Sequence, residues 1–233
     1  MPDLSVTLSS VRQRIATAAV QCGRDPASVA LLAVSKTRAA SDIEAAWQLG
    51  QRRFGENYLQ EALRKIEQLQ HLDLEWHFIG PIQSNKTRSI ARHFDWVHSV
   101  DRLKVAERLA AQRPAELPPL QICLQVNIDA EPTKSGVAPE DAATLAAAAA
   151  QLPGLTVRGL MCIPRNSTAA DLSNTSPNGF ERLRQLHAEI RAAHPGLTRF
   201  DTLSMGMSGD LEAAIAAGAT LVRVGSDIFG PRN

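Results

Sequence analysis

Short apolar runs alternate with stretches of helical periodicity along most of the chain. Runs such as VALLAVSKT, LEWHFIG, PLQICLQVNI and TLVRVGSDIFG are rich in branched residues, which is typical of buried strands. Segments with apolar residues three or four positions apart lie between the strands, for example ASDIEAAWQLG and YLQEALRKIEQL. Eight strands separated by helices predict parallel strands joined by crossover connections.

The count of eight strands favours a closed barrel. A (β/α)8 barrel takes about 250 residues, and the 233 residues of this chain fit one TIM-type barrel domain over 1–233 with little to spare. An open, doubly wound sheet is the alternative, but it would need no particular number of units. The amphipathic segment at the start of the chain predicts one extra N-terminal helix.

Local signals mark the ends of several elements. Ser41, followed three residues later by Glu44, has the spacing of a capping box, and Gly50 stands where a helix commonly ends. The polar stretch 164–179 follows the sixth strand and is long for a barrel loop. For that stretch we favour disorder over a lid.

Charge and cysteine content exclude several classes of protein. The chain has 25 Lys and Arg against 24 Asp and Glu, so its net charge gives no reason to expect nucleic acid or an anionic membrane as partner. Its three cysteines are widely spaced and predict neither a zinc site nor a disulfide framework. No apolar stretch approaches the roughly 20 residues that span a bilayer. We therefore expect a cytoplasmic protein.

Lysines at strand ends are the first candidates for chemistry. Lys36 directly ends the first apolar strand, whereas Lys86 and Lys134 follow the third and fifth strands less closely. Lys65 and Lys104 fall within helices, and we interpret both as solvated surface. Barrel active sites lie at the carboxyl ends of the strands. Burial there would lower the pKa of the Lys36 amine and let it attack a carbonyl; a salt-bridged lysine at the rim is the alternative.

Turns rich in glycine and serine follow strands seven and eight. The first contains Ser204, Ser208 and Gly209, and the second contains Gly225 and Ser226. In such barrels the loops after these two strands frequently form a phosphate site, and free N–H groups near Gly209 could hold an anion. Strand eight pairs with strand one on closure, so this site would adjoin the strand-one lysine. An aldehyde-trapping amine beside a phosphate site suggests pyridoxal 5′-phosphate, although an aldolase acting on sugar phosphates would use similar groups.

Arg223 belongs to the last strand. It alternates with Val222 and Val224, so if the valines pack on the helices it faces the barrel interior. A buried arginine needs an acceptor. The pyridine nitrogen of the cofactor and a carboxylate are the two candidates.

Seven segments together resemble one known family. LLAVSKT, FGENYLQE, WHFIGPIQSNK, VNIDAEPTKSG, GLMCIP, LSMGMSGDLEAAI and VRVGSDIFG are similar, in order and over nearly the whole chain, to the pyridoxal-phosphate homeostasis proteins. Those are single-domain barrels related to the N-terminal domain of alanine racemase. The resemblance implies that Lys36 holds the cofactor as a Schiff base, that Arg223 approaches the pyridine nitrogen and that Asn57 belongs to the pocket.

The resemblance also implies a phosphate site. The matching residues are Ser204, Ser208, Gly225 and Ser226. Two positions depart from the common pattern: Gly209 stands where many relatives carry Asp or another polar residue, and Ser226 where Thr is common. Because Ser226 keeps a hydroxyl, phosphate binding should survive.

Three features limit the chemistry expected of such a site. Arg223, donating to the pyridine nitrogen, would keep it unprotonated and make the ring a poorer electron sink. The resemblance implies that racemase relatives take a second base, a tyrosine, from an additional domain. Here the sole tyrosine, Tyr58, is interpreted as packing, and His77 and His98 as hydrogen-bonded core residues.

We therefore predict a monomeric binding protein rather than an enzyme with robust turnover. It would buffer pyridoxal phosphate, or deliver it to acceptor apoenzymes, in intracellular vitamin B6 and amino-acid homeostasis. A weak pyridoxal-phosphate enzyme, such as a racemase or lyase, and a cofactor-free Schiff-base aldolase are the alternatives. The role of Lys134 stays open, with a solvated loop favoured.

Overall fold

The computed structural model describes residues 3–165 and 178–231. Its strands form one closed, parallel barrel in which each strand pairs with its neighbours in the chain and the last pairs with the first. The strands are β1 (Ala30–Val34), β2 (Arg53–Glu56), β3 (Glu75–Phe78), β4 (Trp96–Val100), β5 (Leu120–Gln125), β6 (Leu155–Met161), β7 (Thr202–Ser204) and β8 (Leu221–Val224). The predicted eight-stranded barrel is confirmed.

Helices surround the barrel and one precedes it. They are α1 (Leu4–Gln21), α2 (Ala40–Gln48), α3 (Leu59–Gln68), α4 (Thr87–His93), α5 (Leu103–Gln112), α6 (Ala142–Ala150), α7 (Gly179–Ala193), α8 (Leu211–Ala216) and α9 (Ser226–Phe229). The extra helix α1 was predicted, and it buries Leu8, Val11 and Ile15. Its Thr7 hydroxyl donates to the Ile228 carbonyl, which attaches α1 to α9.

The strands bury two different faces. Val222 and Val224 are fully buried in the apolar layer between strands and helices, as predicted. Arg223 lies between them in β8, pairs in register with Leu32 of β1, and points into the barrel, where it is 5% exposed. The interior therefore carries polar groups, whereas the outer layer is apolar.

Helix α2 begins two residues earlier than the capping signal predicted. Its N-cap is Ala39, whose N–H donates to Asp42 Oδ2 at 3.2 Å, so the capping box assigned to Ser41 and Glu44 is wrong. Gly50 follows the helix with φ 83°, the left-handed conformation that glycine adopts most readily. Of the polar loop 164–179, residues 166–177 lie outside the described residues.

Candidate functional site

A cavity of about 260 Å³ opens at the carboxyl ends of β1, β2, β6 and β8. Seven of the eight predicted site residues line it. They are Lys36, Asn57, Ser208, Gly209, Arg223, Gly225 and Ser226. Ser204 is not among the lining residues, and its side chain is fully buried below Arg223.

Lys36 is half-buried where β1 reaches the cavity. The backbone is fixed on both sides of it. Before it, the Ser35 carbonyl accepts a 2.8 Å bond from Lys65 Nζ; after it, the Thr37 N–H donates to Glu61 Oε1 at 2.6 Å. Thr37 has φ 65°, a strained conformation for a β-branched residue. These contacts hold the lysine at the strand end.

Lys65 belongs to a buried ionic cluster and is only 5% exposed, so its interpretation as solvated surface is wrong. Its ammonium lies 2.7 Å from Glu56 and 2.5 Å from Glu61, and the Ser35 hydroxyl donates to Glu56 at 2.6 Å. Burial raises the pKa of Glu56, while Lys65 and Ser35 oppose that rise. The spacing of Glu61 and Lys65, four residues apart on one helix, was the sequence signal for this pair.

Two turns meet in the wall of the cavity. The Ser226 and Ser208 hydroxyls lie 3.1 Å apart, and an added Cβ at Gly209 would meet nothing within 4 Å. Arg14 of α1 joins the turns, because its guanidinium donates to the Ser208 carbonyl at 3.0 Å and to Asp227 at 2.5 Å. The result is an open pair of hydroxyl-bearing turns that α1 holds together.

The two terminal nitrogens of Arg223 donate hydrogen bonds inside the barrel. Nη1 donates to the Ser204 carbonyl at 2.6 Å and hydroxyl at 2.9 Å, and Nη2 donates to the Cys162 carbonyl at 2.9 Å. The sequence suggested a carboxylate or the pyridine nitrogen of a cofactor as the acceptor for Arg223. Within residues 3–165 and 178–231, no carboxylate is hydrogen-bonded to it. Arg223 also lines the cavity.

Asn57 follows β2 and carries a buried side-chain oxygen with no hydrogen-bond partner among the described residues. A buried polar atom without a partner is costly unless a bound molecule or water satisfies it. This oxygen, the two serine hydroxyls and the Lys36 amine fit a polar, phosphorylated aldehyde of small size.

Gly80 permits the position of Asn57. A Cβ added at Gly80 would lie 2.1 Å from the Asn57 carbonyl oxygen, so Gly80→Ala must move one of the two backbones. We expect a loss of about 1 to 3 kcal/mol in the free energy of unfolding, the range for overpacked sites. Gly196→Ala is the control, because a Cβ there meets nothing within 4 Å. Urea unfolding measures both, and equal stability of the two variants would contradict the close approach.

Sequence reasoning missed part of the cavity wall. The additional lining residues are Val34, Arg38, Ile79, Met161, Ile163, Met207 and Gly230. Arg38 donates to the Gly230 carbonyl at 2.5 Å and so ties the loop after β1 to the end of the chain. Its place two residues after Lys36 was a usable signal, but its partner is 192 residues away.

Four further predictions concern residues near the site. Lys134 lies in a loop, with its side chain a third exposed and ion-paired with Glu131 at 2.7 Å, and its role stays open. Tyr58 is 54% exposed, which contradicts its interpretation as packing. His77 and His98 are fully buried and hydrogen-bonded, as predicted.

The described residues can also be examined for membrane-spanning helices, metal sites and reactive cysteines. No described helix is long and apolar enough to cross a membrane. No group of three or more His, Cys, Asp or Glu among the described residues could hold a metal ion. The three cysteines are free, and burial raises the pKa of Cys123 and Cys162 to about 12, so both are unreactive thiols.

The closed barrel, with a lysine at the carboxyl end of β1, agrees with the protein family that the sequence matches. Residues 6–233 match the family described as "Alanine racemase, N-terminal domain". The pyridoxal phosphate homeostasis proteins of Pseudomonas aeruginosa and Escherichia coli are 55% and 50% identical, each over 100% of this chain and over 97% and 98% of their own lengths. The chain belongs to the pyridoxal phosphate homeostasis protein family.

A solved structure agrees with this assignment. PipY of Synechococcus elongatus with pyridoxal phosphate bound is 37% identical, with a TM-score of 0.82 over 98% of this chain and 100% of that chain. The relatives are named homeostasis proteins rather than enzymes.

Proposed function

We propose that this protein binds pyridoxal 5′-phosphate covalently through Lys36 and buffers it, or delivers it to acceptor apoenzymes, in intracellular vitamin B6 and amino-acid homeostasis. The observation that carries the proposal is the single cavity shared by the Lys36 amine and the Ser208 and Ser226 hydroxyls. PipY, of the same fold, binds this cofactor.

When bound, pyridoxal phosphate supplies an aldehyde that condenses with an amine, a pyridine nitrogen and a phosphate. The chain offers one group for each. Lys36 would hold the aldehyde carbon, and the turns at Ser208 and Ser226 would donate hydrogen bonds to the phosphate. Arg223 would donate to the pyridine nitrogen, and Asn57 is a further residue of the cavity wall. A competing amine would release the cofactor by taking the place of Lys36 at the aldehyde carbon, with Lys36 leaving as the free amine.

The wall of the cavity favours binding over catalysis. Among its described residues the ionisable side chains are Lys36, Arg38 and Arg223, and no His, Tyr, Cys or carboxylate lines it. An enzyme that moves an amino-acid proton needs a base near the cofactor. The guanidinium of Arg223 stays charged and keeps the pyridine nitrogen unprotonated. Both properties support a holding site with little turnover. That the protein works as a cytoplasmic monomer is a separate part of the proposal.

Covalent labelling tests the proposal. We expect that mixing the protein with equimolar pyridoxal phosphate, reducing it with borohydride and mapping its peptides by mass spectrometry will find the label on Lys36. Lys134 is the internal control, because its ammonium lies 3.2 Å from the carbonyl oxygen of Ile163, a residue of the cavity wall, but Lys134 is not itself among the lining residues. Label spread evenly over all five lysines would contradict a dedicated site.

Two further measurements address the alternatives. Deuterium exchange at the α-carbon of amino acids in heavy water would support a pyridoxal-phosphate enzyme, and we expect none above the rate with free cofactor. Borohydride trapping of a sugar phosphate on cofactor-free protein would instead support an aldolase.

A further inference from the structure

A hydrogen-bonded chain of side chains crosses the barrel interior from Glu75 to Arg223. Glu75 Oε1 lies 2.7 Å from His77 Nε2, and His77 Nδ1 lies 2.8 Å from His98 Nε2. His98 Nδ1 lies 2.8 Å from the Ser204 hydroxyl, which accepts a 2.9 Å bond from Arg223. Since β4 and β7 are not neighbours, the contact of His98 with Ser204 passes through the interior.

The two ends of this chain fix the direction of every bond in it. Glu75 as a carboxylate can only accept, so His77 carries its proton on Nε2 and its Nδ1 accepts. His98 must then donate from Nε2, and its Nδ1 accepts from Ser204. At the other end Arg223 can only donate, so the Ser204 oxygen is its acceptor and the Ser204 proton is available to His98. Each group in the chain is satisfied by this single arrangement.

The surroundings keep both histidines neutral, as the arrangement requires. Burial lowers the pKa of His77, partly opposed by Glu75, and lowers that of His98 further, with His77 and Arg223 adding to the effect. Burial raises the pKa of Glu75, but the bonds from His77 and Arg53 outweigh it and hold that pKa below the ordinary value. The carboxylate therefore remains charged at neutral pH.

We propose that His98 and His77 are positioning residues for the cofactor site, acting through Ser204 on Arg223. His98, by accepting a hydrogen bond from the Ser204 hydroxyl, turns the oxygen lone pairs of Ser204 toward the Arg223 guanidinium and so fixes the orientation of the guanidinium at the cavity. This inference rests on the proposed function, and it extends the site to Glu75 at the opposite end of the barrel.

The hydrogen-bonded side chains also help to stabilise the buried charge of Arg223. Arg223 is buried without a carboxylate bonded to it among the described residues, and its acceptors are two carbonyls and one hydroxyl. Hydrogen bonds in series polarise one another. Glu75 thus makes the Ser204 oxygen a stronger acceptor, and a negative charge across the barrel stabilises the guanidinium without occupying the cavity.

Nitrogen-15 NMR of the unliganded protein tests the arrangement directly. We expect His77 and His98 to show a protonated Nε2 and an unprotonated Nδ1, unchanged between about pH 5.5 and 8.5, where ordinary histidines titrate. His71 and His93 are exposed and provide reference signals in the same spectra. A protonated Nδ1 on His98 would overturn the proposal, whether or not the protein binds the cofactor.

Two substitutions of His98 test its link to the site. His98→Gln keeps an acceptor and a donor, whereas His98→Leu removes both. We expect His98→Leu to weaken pyridoxal phosphate binding about fivefold to tenfold, the effect of one lost hydrogen bond in a buried network. His98→Gln should recover most of that loss, and the label should still map to Lys36.

The outcomes separate this inference from the proposed function. Wild-type protein that fails to take the label at Lys36 refutes the proposed function, while the NMR result still decides the tautomers. Unchanged affinity in a folded His98→Leu variant refutes the positioning role. If His98→Leu fails to fold, the positioning role is decided by His98→Gln. The two measurements on that protein are its affinity for pyridoxal phosphate and the tautomer of its His77.

Discussion

Lys65→Met is expected to lower the free energy of unfolding by about 3 to 5 kcal/mol, the range for breaking a buried ion pair from one side. Methionine keeps most of the side-chain length but removes the charge that faces Glu56, which is fully buried. It also leaves the Ser35 carbonyl without the Lys65 donor. Urea unfolding followed by circular dichroism measures the change. Lys104→Met, at an exposed position of α5, is the control and should stay within about 0.5 kcal/mol of wild type.

The pH dependence of this loss identifies its cause. With Lys65 gone, its opposition to the burial that raises the pKa of Glu56 disappears, and that pKa rises further. The folded variant then holds a proton that the unfolded chain releases, so its stability falls as pH rises above the ordinary 4.5. The deficit relative to wild type should be smallest in acid and largest at neutral pH. A deficit that is the same at both would show that lost packing, and not the Glu56 charge, is responsible.

The barrel was predictable because its signals are local. Eight strands and their intervening helices each leave a periodic pattern within about ten residues, and the number eight then decides between an open and a closed sheet. The start of α2 was not predictable in the same way. Asp42 accepts from the Ala39 N–H without a preceding serine cap, so the more familiar signal at Ser41 was misleading.

The site was predictable where position alone decides it. Lys36 and the turn residues Ser208 and Ser226 lie at the cavity because the carboxyl ends of parallel strands meet there. The groups beneath them depend on side-chain direction and on partners distant in sequence. Ser204 bonds to His98, 106 residues away, and Lys65 to the Ser35 carbonyl, 30 residues away, and no local pattern specifies such pairs.

Ser226→Asp is expected to weaken pyridoxal phosphate binding at least about thirtyfold while leaving the binding of pyridoxal, which lacks the phosphate, nearly unchanged. Two like charges 4 Å apart repel by about 1 kcal/mol in water and about 4 kcal/mol near a protein surface. A phosphate carrying nearly two charges beside this carboxylate therefore loses at least about 2 kcal/mol. Ser226→Ala, which removes only one hydrogen bond, should lose about fivefold. Titration of the visible absorption measures both ligands.

The control places the same charge elsewhere. Ser28→Asp lies just before β1, at the barrel end opposite the cavity, and changes the net charge of the protein equally. It should leave both affinities as in wild type, because a charge beyond a Debye length of about 8 Å is largely screened at physiological salt. If Ser226→Asp weakened pyridoxal and pyridoxal phosphate to the same degree, the turn would shape the cavity without binding phosphate. A selective loss of the phosphorylated ligand assigns the Ser208 and Ser226 turns to the phosphate, and the Lys36 amine beside them to the aldehyde.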